Sequence, residues 1–177
     1  MNAPPAFTTR DLHVAQPLTP GFIPAHLARE LVGVLTPEVL APLPPSLALP
    51  TGPRPCADWI SARVSQSSVQ PVRVQPGGAL IGLLLTHRMN GGSGGASMHL
   101  GYLLARDSWG KGYATQLVQG LVQAMAGHGP GTLVGGVDAA NPASVRVLEK
   151  AGFTLDAGQS TLDTRIYTRE IPVAPNK

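Results

Sequence analysis

The apolar positions of the chain change texture near residue 71. From Val72 onward they are regular: Val72–Gln75 predicts a strand, Gly77-Gly78 a hairpin turn, and Ala79–Met89 a long strand carrying the run Leu80-Ile81-Gly82-Leu83-Leu84-Leu85. The Gly-rich stretch Asn90–Ala96 predicts a flexible turn. Ser97–Ala105 then reads as a strand apolar on both faces, as a central strand covered on both sides should be. Together these segments predict an antiparallel meander.

The next element is helical. Ala114, Leu117, Val118, Leu121, Val122 and Met125 recur at i, i+3, i+4, i+7, i+8 and i+11, and Gly127 and Gly129-Pro130-Gly131 end the pattern. Thr132–Asp138 follows as a strand, Asn141-Pro142 opens a second helix, and Gly152 closes it. Phe153–Leu155 and Thr164–Ile171 predict a terminal strand pair. Strand, helix, strand, helix and strand in that order imply a parallel crossover within a mixed sheet.

The first 57 residues are less regular, with Pro44, Pro45, Pro50, Pro53 and Pro55 clustered near their end. His26–Val34 places Leu27, Leu31 and Val34 at helical spacing, and Pro37–Leu40 suggests one further turn. Trp59–Val64 begins a short helix ending before Pro71, and Thr8–Ala15 has the character of an edge strand. No internal repeat is present.

Composition narrows the class. Of 177 residues, 43% are hydrophobic and only 13% charged, about half the usual share, so a folded chain is expected despite 21 Gly and 18 Pro. The length suits one domain. A formal charge of +3 contains no run of Lys or Arg longer than one residue, which argues against nucleic acid as a partner. Lone Cys56, set in a Pro-rich loop, excludes an internal disulfide, and the five histidines show no metal-ligand spacing, so no metal is expected. The opening segment lacks a leader pattern and no apolar run approaches the roughly 20 residues of a membrane span. No membrane association and a cytoplasmic location are the resulting expectations.

Two segments carry chemistry. Arg106-Asp107-Ser108-Trp109-Gly110-Lys111-Gly112-Tyr113-Ala114-Thr115 joins a strand to the amphipathic helix. The first N–H groups of a helix lack internal partners and the helix dipole is positive there, so this turn suits an anion. Gly110 and Gly112 let a phosphate approach the backbone, and Lys111 adds charge. A Walker A loop does not fit, because Gly112 follows Lys111 where a Ser or Thr belongs. Thr115 replaces the third Gly or Ala of a dinucleotide fingerprint. The match that remains is an acyl-CoA pyrophosphate loop with a Gly-x-Gly core; the plain alternative is a tight helix-entry turn.

The second segment, Asn141-Pro142-Ala143-Ser144-Val145-Arg146-Val147-Leu148-Glu149-Lys150-Ala151-Gly152-Phe153, is separated from Gly112 by 28 residues. This pair resembles the GNAT superfamily of CoA-dependent N-acyltransferases, nearest to its ribosomal-protein N-terminal acetyltransferase branch. The resemblance covers residues 97–155. It implies a mixed α/β (α+β) fold, a mostly antiparallel sheet of six to seven strands flanked by helices. It also implies one acetyltransferase domain over 1–177: a variable acceptor-side segment (8–71), an acetyl-CoA-binding core (72–155) and terminal strands (153–171).

The implied activity is transfer of an acetyl group from acetyl-CoA to a primary amine, by direct attack and without a metal. The implied partner is the amine acceptor, a protein N-terminus or a small molecule; a homodimer is admitted. The cofactor cradle would run through Arg106, Ser108, Trp109, Gly110, Lys111, Gly112, Tyr113 and Ala114. Backbone groups of Leu103 and Leu104, with Asn141 and Ser144, would hold the pantetheine arm. His99 stands where many relatives carry a Glu and is the candidate base, the alternative being a solvated strand residue. Ser144 is the candidate proton donor to the thiolate, the alternative being a helix N3 capping residue. Tyr102, Tyr113 and Trp109 read as packing.

Three positions depart from the family pattern: Asp107 for Arg or Gln, Gln116 for a Glu common in the branch, and Leu148 for a Tyr. They keep open a catalytically degenerate CoA-binding module, and more weakly a nucleotide-binding regulatory domain.

Overall fold

The strands align in one mixed sheet in the computed structural model, which describes residues 3–76, 78–90, 96–126 and 131–171. They are β1 (Phe7–Thr8), β2 (Leu12–Val14), β3 (Ser68–Val74), β4 (Leu80–Asn90), β5 (Ala96–Leu104), β6 (Gly131–Asp138), β7 (Thr154–Asp156) and β8 (Thr164–Ile171). Their order across the sheet is β1-β2-β3-β4-β5-β6-β8-β7, and β5–β6 is the parallel pair among them. The helices are α1 (Ala25–Glu30), α2 (Pro37–Leu40), α3 (Pro55–Gln66), α4 (Tyr113–Met125) and α5 (Pro142–Lys150). None is long and apolar enough to cross a membrane.

The expected meander is present as β3-β4-β5, and the expected terminal pair as β7 and β8. Among the described residues the sheet has eight strands, against the expected six or seven, partly because Thr8–Ala15 is a hairpin rather than one strand. Thr9 turns the chain: its N–H donates to the Leu12 carbonyl at 2.8 Å, and its hydroxyl accepts the Leu12 N–H at 3.1 Å. Strand β3 begins at Ser68 and contains Pro71, which had marked its boundary. The Pro71 carbonyl accepts from Ala15 N–H, so its nitrogen also faces the β2 side, where pairing ends at Val14↔Val72. A proline is tolerated in a strand where no ladder hydrogen bond is asked of it.

The helices of the first third also shift. The run expected over His26–Val34 leaves α geometry at Leu31, where Leu31–Gly33 tightens into a 3-10 turn. Helix α3 starts at Pro55, four residues before Trp59, because proline's fixed φ suits the first helical position. Cys56 therefore sits on a helix, buried, and burial pushes its thiol pKa up. The expected turns at Gly77 and within 91–95, and the helix-stopping residues 127–130, lie outside the described residues.

Two buried clusters flank the sheet. On one side α4 and α5 cover Met98, Leu100 and Leu133 with Leu117, Leu121, Met125 and Leu148. On the other, α1 and α3 cover Val69, Leu83 and Leu103 with Leu27, Trp59 and Ile60. Each fully buried side chain of this size contributes about 1.5–3 kcal/mol. Gly120 in mid-α4 lies against the N-terminal hairpin: an added Cβ would stand 2.7 Å from the Phe7 ring and the Thr9 methyl. Strand β5 corrects one expectation. Leu103 is covered, but His99 and Gly101 on the same face are exposed, so the strand is covered on both sides only toward its end.

Candidate active site

Strands β5 and β6 run together for only part of their length. The parallel register covers Ser97↔Thr132 to Leu100↔Gly135 and then stops, although β5 continues to Leu104 and β6 to Asp138. Beyond that point β6 stays paired with β8 and β5 with β4, so the two strands part. A wedge with free backbone edges results, and a buried N–H or C=O needs a partner.

The phase of the β4–β5 ladder says which groups face the wedge. Ala105 N–H donates to the Ile81 carbonyl at 2.7 Å, which places Ala105 in register with Ile81. Strand alternation then turns Leu103 toward Leu83 and turns Tyr102 and Leu104 toward the wedge. The Leu104 carbonyl accepts from Trp109 Nε1 at 2.8 Å. The backbone groups left at this edge are therefore those of Tyr102 and the Leu104 N–H, rather than those of Leu103.

The mouth of the wedge is the turn into α4. Arg106–Ser108 forms a 3-10 turn, and Gly112 is the N-cap of α4 with φ +79°. Gly110 also has φ +75° and neither glycine meets another atom where a Cβ would stand, so conformation rather than space requires them. No side chain caps α4, which leaves its first N–H groups for a ligand. Lys111 is exposed beside them. Trp109 is 42% exposed and ties the turn to the strand end, with the Arg106 guanidinium 4.7 Å above its ring. Ser108 is buried, and Tyr113 and Ala114 pack against the core. Asp107 is exposed in the 3-10 turn and does not cap α4.

The far wall of the wedge is the start of α5. Asn141 caps it by accepting the Ser144 N–H at 3.1 Å, and Pro142 follows at the first helical position. The Ser144 hydroxyl accepts a hydrogen bond from the Tyr102 hydroxyl at 3.3 Å. Burial pushes the Tyr102 pKa up, opposed by that bond, so the phenol keeps its proton. Tyr102, read from the sequence as packing, thus bridges the strand and helix that frame the wedge. Leu148 is buried beneath Gly135, where an added Cβ would stand 2.9 Å from its side chain. Gln116 does not face the wedge. Its carbonyl oxygen accepts from the Thr9 hydroxyl and Asp11 N–H, and its amide donates to Asp11 at 2.7 Å, which ties α4 to the N-terminal hairpin.

His99 lies on the opposite face of β5 from Tyr102, at the last turns of the parallel register. It pairs across the ladder with His87, whose Nδ1 donates to the Gln66 carbonyl at 3.0 Å. A carbonyl accepts only, so His87 Nδ1 carries the hydrogen. Partial desolvation on the sheet face, reinforced by His87, lowers the His99 pKa, which favours the neutral, proton-accepting imidazole. A cavity of about 570 Å³ opens over this face, with His99, His87 and Gly101 as its floor and Arg63 and Gln66 from α3 on its wall. His87 and Arg63 were missed by sequence reasoning, because strand register and helix placement bring them to His99. Among the described residues no group of three His, Cys, Asp or Glu is placed to hold a metal.

The arrangement is a wedge with free backbone edges, an uncapped helix N-terminus at its mouth, and an imidazole in a cavity on the other face of β5. Solved structures with this fold are numerous. An acetyltransferase of the GNAT family from Bacillus anthracis is 14% identical, with a TM-score of 0.68 over 93% of this chain and 97% of that one. RimL, a ribosomal-protein alpha-N-acetyltransferase solved with coenzyme A, is 18% identical, with a TM-score of 0.68 over 96% and 99%. An aminoglycoside N(6')acetyltransferase from Legionella pneumophila is 13% identical, with a TM-score of 0.64 over 90% and 92%. No curated protein matches the sequence. The family of acetyltransferase (GNAT) domains matches residues 27–154, and with well over half its length matched the chain belongs to that acetyltransferase family.

Proposed function

We propose that this acetyltransferase moves an acetyl group from acetyl-CoA to a primary amine, a protein N-terminus or a small molecule, by direct attack. The observation that carries this reading is the wedge between β5 and β6, with the uncapped N-terminus of α4 at its mouth. Free strand edges, glycines at positive φ and exposed N–H groups suit a pantetheine arm ending in a pyrophosphate. Acetyl-CoA bound there supplies a thioester carbonyl open to attack.

The chain's own groups supply the rest. N–H groups from Ser108 to Ala114, with Lys111, receive the pyrophosphate, and Asn141 keeps α5 pointed at the wedge. An N–H at the β5 edge, from Tyr102 or Leu104, polarises the carbonyl, and one oriented donor is worth about 3 kcal/mol to an oxygen gaining charge. His99 takes the proton from the attacking amine, directly or through one water. Ser144 passes a proton to the departing sulfur as it takes one from Tyr102, whose hydroxyl donates to the Ser144 oxygen and is itself reprotonated from solvent. A thiol leaves readily, so Ser144 suffices where Leu148 offers no phenol.

Calorimetry with acetyl-CoA, CoA and ATP, followed by thiol release over a panel of amines, tests the reading. Acetyl-CoA binding with release on at least one amine is expected. Binding without release on any amine favours a degenerate CoA-binding module, and a preference for ATP overturns the proposal.

A further inference from the structure

The cavity over His99 is unusual for an amine site in what it lacks. All ten Asp and Glu residues of the chain fall within the described segments, and none is among the residues lining this cavity. Several are engaged elsewhere: Asp11 with Gln116, Glu30 with Arg73, Glu170 with Thr132, and Asp156 with Gln159. The segment 91–95 next to the cavity-lining strands is Gly-Gly-Ser-Gly-Gly and carries no charge either.

What the cavity offers instead is positive or proton-accepting. Arg63 has no carboxylate within ion-pair distance among the described residues. One of its Nη atoms donates to the Ser46 carbonyl at 3.0 Å, and the guanidinium lies 5.8 Å from the Trp59 ring centre. These two contacts hold the group in place and leave the second Nη atom without a partner among the described residues. A guanidinium so held is preorganised to grip a carboxylate. His87 and His99 are the cavity's other titratable groups, and the remaining polar lining is uncharged, from Gln66, Ser67 and Thr86.

Size does not choose between acceptors. A cavity of about 570 Å³ takes an amino acid, the first residues of a peptide, or one ring of an aminoglycoside. Charge does choose. An acceptor with several ammonium groups would meet a fixed cation with no carboxylate to offset it, a repulsive element that works against binding.

We propose that this cavity selects amines carrying a carboxylate close to the reacting nitrogen, with Arg63 as the residue that reads the carboxylate, and rejects polycationic amines. This inference rests on the acetyl-transfer reading above for its reaction, but on the cavity's charges alone for its preference. The carboxylate has two sources, a free amino acid or an acidic side chain near a peptide's N-terminus.

The test compares kcat/KM for thiol release with four acceptors: a peptide Ser-Asp-Asp-Gly, its counterpart Ser-Lys-Lys-Gly, free aspartate, and spermidine. At low salt the acidic peptide or aspartate should exceed both cationic acceptors by at least about tenfold, and whichever of the two is higher names the source. Arg63→Gln should narrow that gap through KM more than through kcat, and Arg63→Lys should retain most of it. Circular dichroism on both variants checks that the Ser46 and Trp59 contacts are not simply structural. Equal or better use of spermidine or the lysine peptide overturns the inference, as does an unchanged gap in folded Arg63→Gln. Absence of release with every acceptor counts against the acetyl-transfer reading; calorimetric binding of the two peptides then decides the cavity by itself. Tighter binding of the acidic peptide upholds the selection, and equal binding overturns it.

Discussion

The two faces of the sheet are covered by helices of different character. On one face α4 and α5 run 13 and 9 residues with unbroken apolar stripes. They close over the sheet and leave open only the wedge at the end of β5. On the other face α1 and α2 run 6 and 4 residues, and only α3 reaches 12. That cover is stitched together by prolines and 3-10 turns, and it leaves the His99 end of β4 and β5 bare. On the proposed reading, the regular face has one task, holding a long flexible arm by its backbone partners and its phosphates. The irregular face leaves a cavity whose polarity depends on a few side chains. A family that shares one acyl donor and varies its acceptors needs both.

The sharpest way to break this contrast is at Gly82, where the sheet bulges next to the wedge. A Cβ there would collide with the Leu103 carbonyl and stand 2.6 Å from the Leu104 side chain. Gly82→Val should cost about 3 kcal/mol in denaturant unfolding and abolish calorimetric acetyl-CoA binding, because it displaces the wedge edge itself. Native-like stability with normal acetyl-CoA affinity would show that the wedge is not built this way.

The next largest effect separates the two faces functionally. His99→Ala should lower kcat about 100-fold at pH 7 while leaving acetyl-CoA affinity near the parent value. The wild-type His99 pKa lies below the ordinary histidine range, so its neutral form prevails at pH 7 and persists into mild acid. The deficit of the variant should therefore be plain at neutral pH and shrink by pH 9, where the free amine needs no base. A pH-independent deficit would remove His99 as the base.

Gln116→Ala tests whether the regular face is catalytic at this position. Losing three hydrogen bonds to the N-terminal hairpin should cost about 1–2 kcal/mol of stability in thermal unfolding. Turnover per folded molecule should stay within about twofold, whereas a large loss would return Gln116 to the site.

The smallest expected effect lies on the irregular face. Arg73 holds the Glu30 carboxyl below the ordinary glutamate range by two hydrogen bonds, at 2.8 and 2.7 Å. A carboxylate with a lowered folded-state pKa contributes stability that is present above its unfolded value and is lost as pH falls through the folded one. The pair is partly exposed, so Arg73→Met should cost only about 0.5 kcal/mol at pH 7, and the difference from wild type should shrink as pH falls through the lowered folded-state pKa of Glu30. A difference that does not change with pH would assign the effect to packing and to the Arg73 bond to the Gly78 carbonyl.

Much of the regular face was legible because its signals are local. The α4 stripe, the Asn141-Pro142 helix start and the Gly112 turn are each read within a dozen residues, and the structure shows all three. The loop and α5 could be paired because their spacing in sequence suits a crossover. The irregular face was less legible. Pro55 began a helix where a loop was expected, and Pro71 entered a strand it had seemed to bound. Whether a proline breaks or starts an element depends on which neighbour would have used its N–H, and that neighbour lies far off in sequence.

The chemistry divides along the same line. By itself the sequence determined most of the elements and the uncapped turn into α4, since these follow from periodicity and helix ends, and with the family resemblance it offered His99 and Ser144 as candidates. Only the tertiary structure decided that Tyr102 reaches Ser144 across the wedge and that Gln116 is a clamp. It also brought His87 and Arg63 to His99 and left their cavity without a carboxylate. The reason is strand parity and register. Tyr102 and His99 are three residues apart on β5 and face opposite sides, so what each one meets depends on which helix the chain folds over that side.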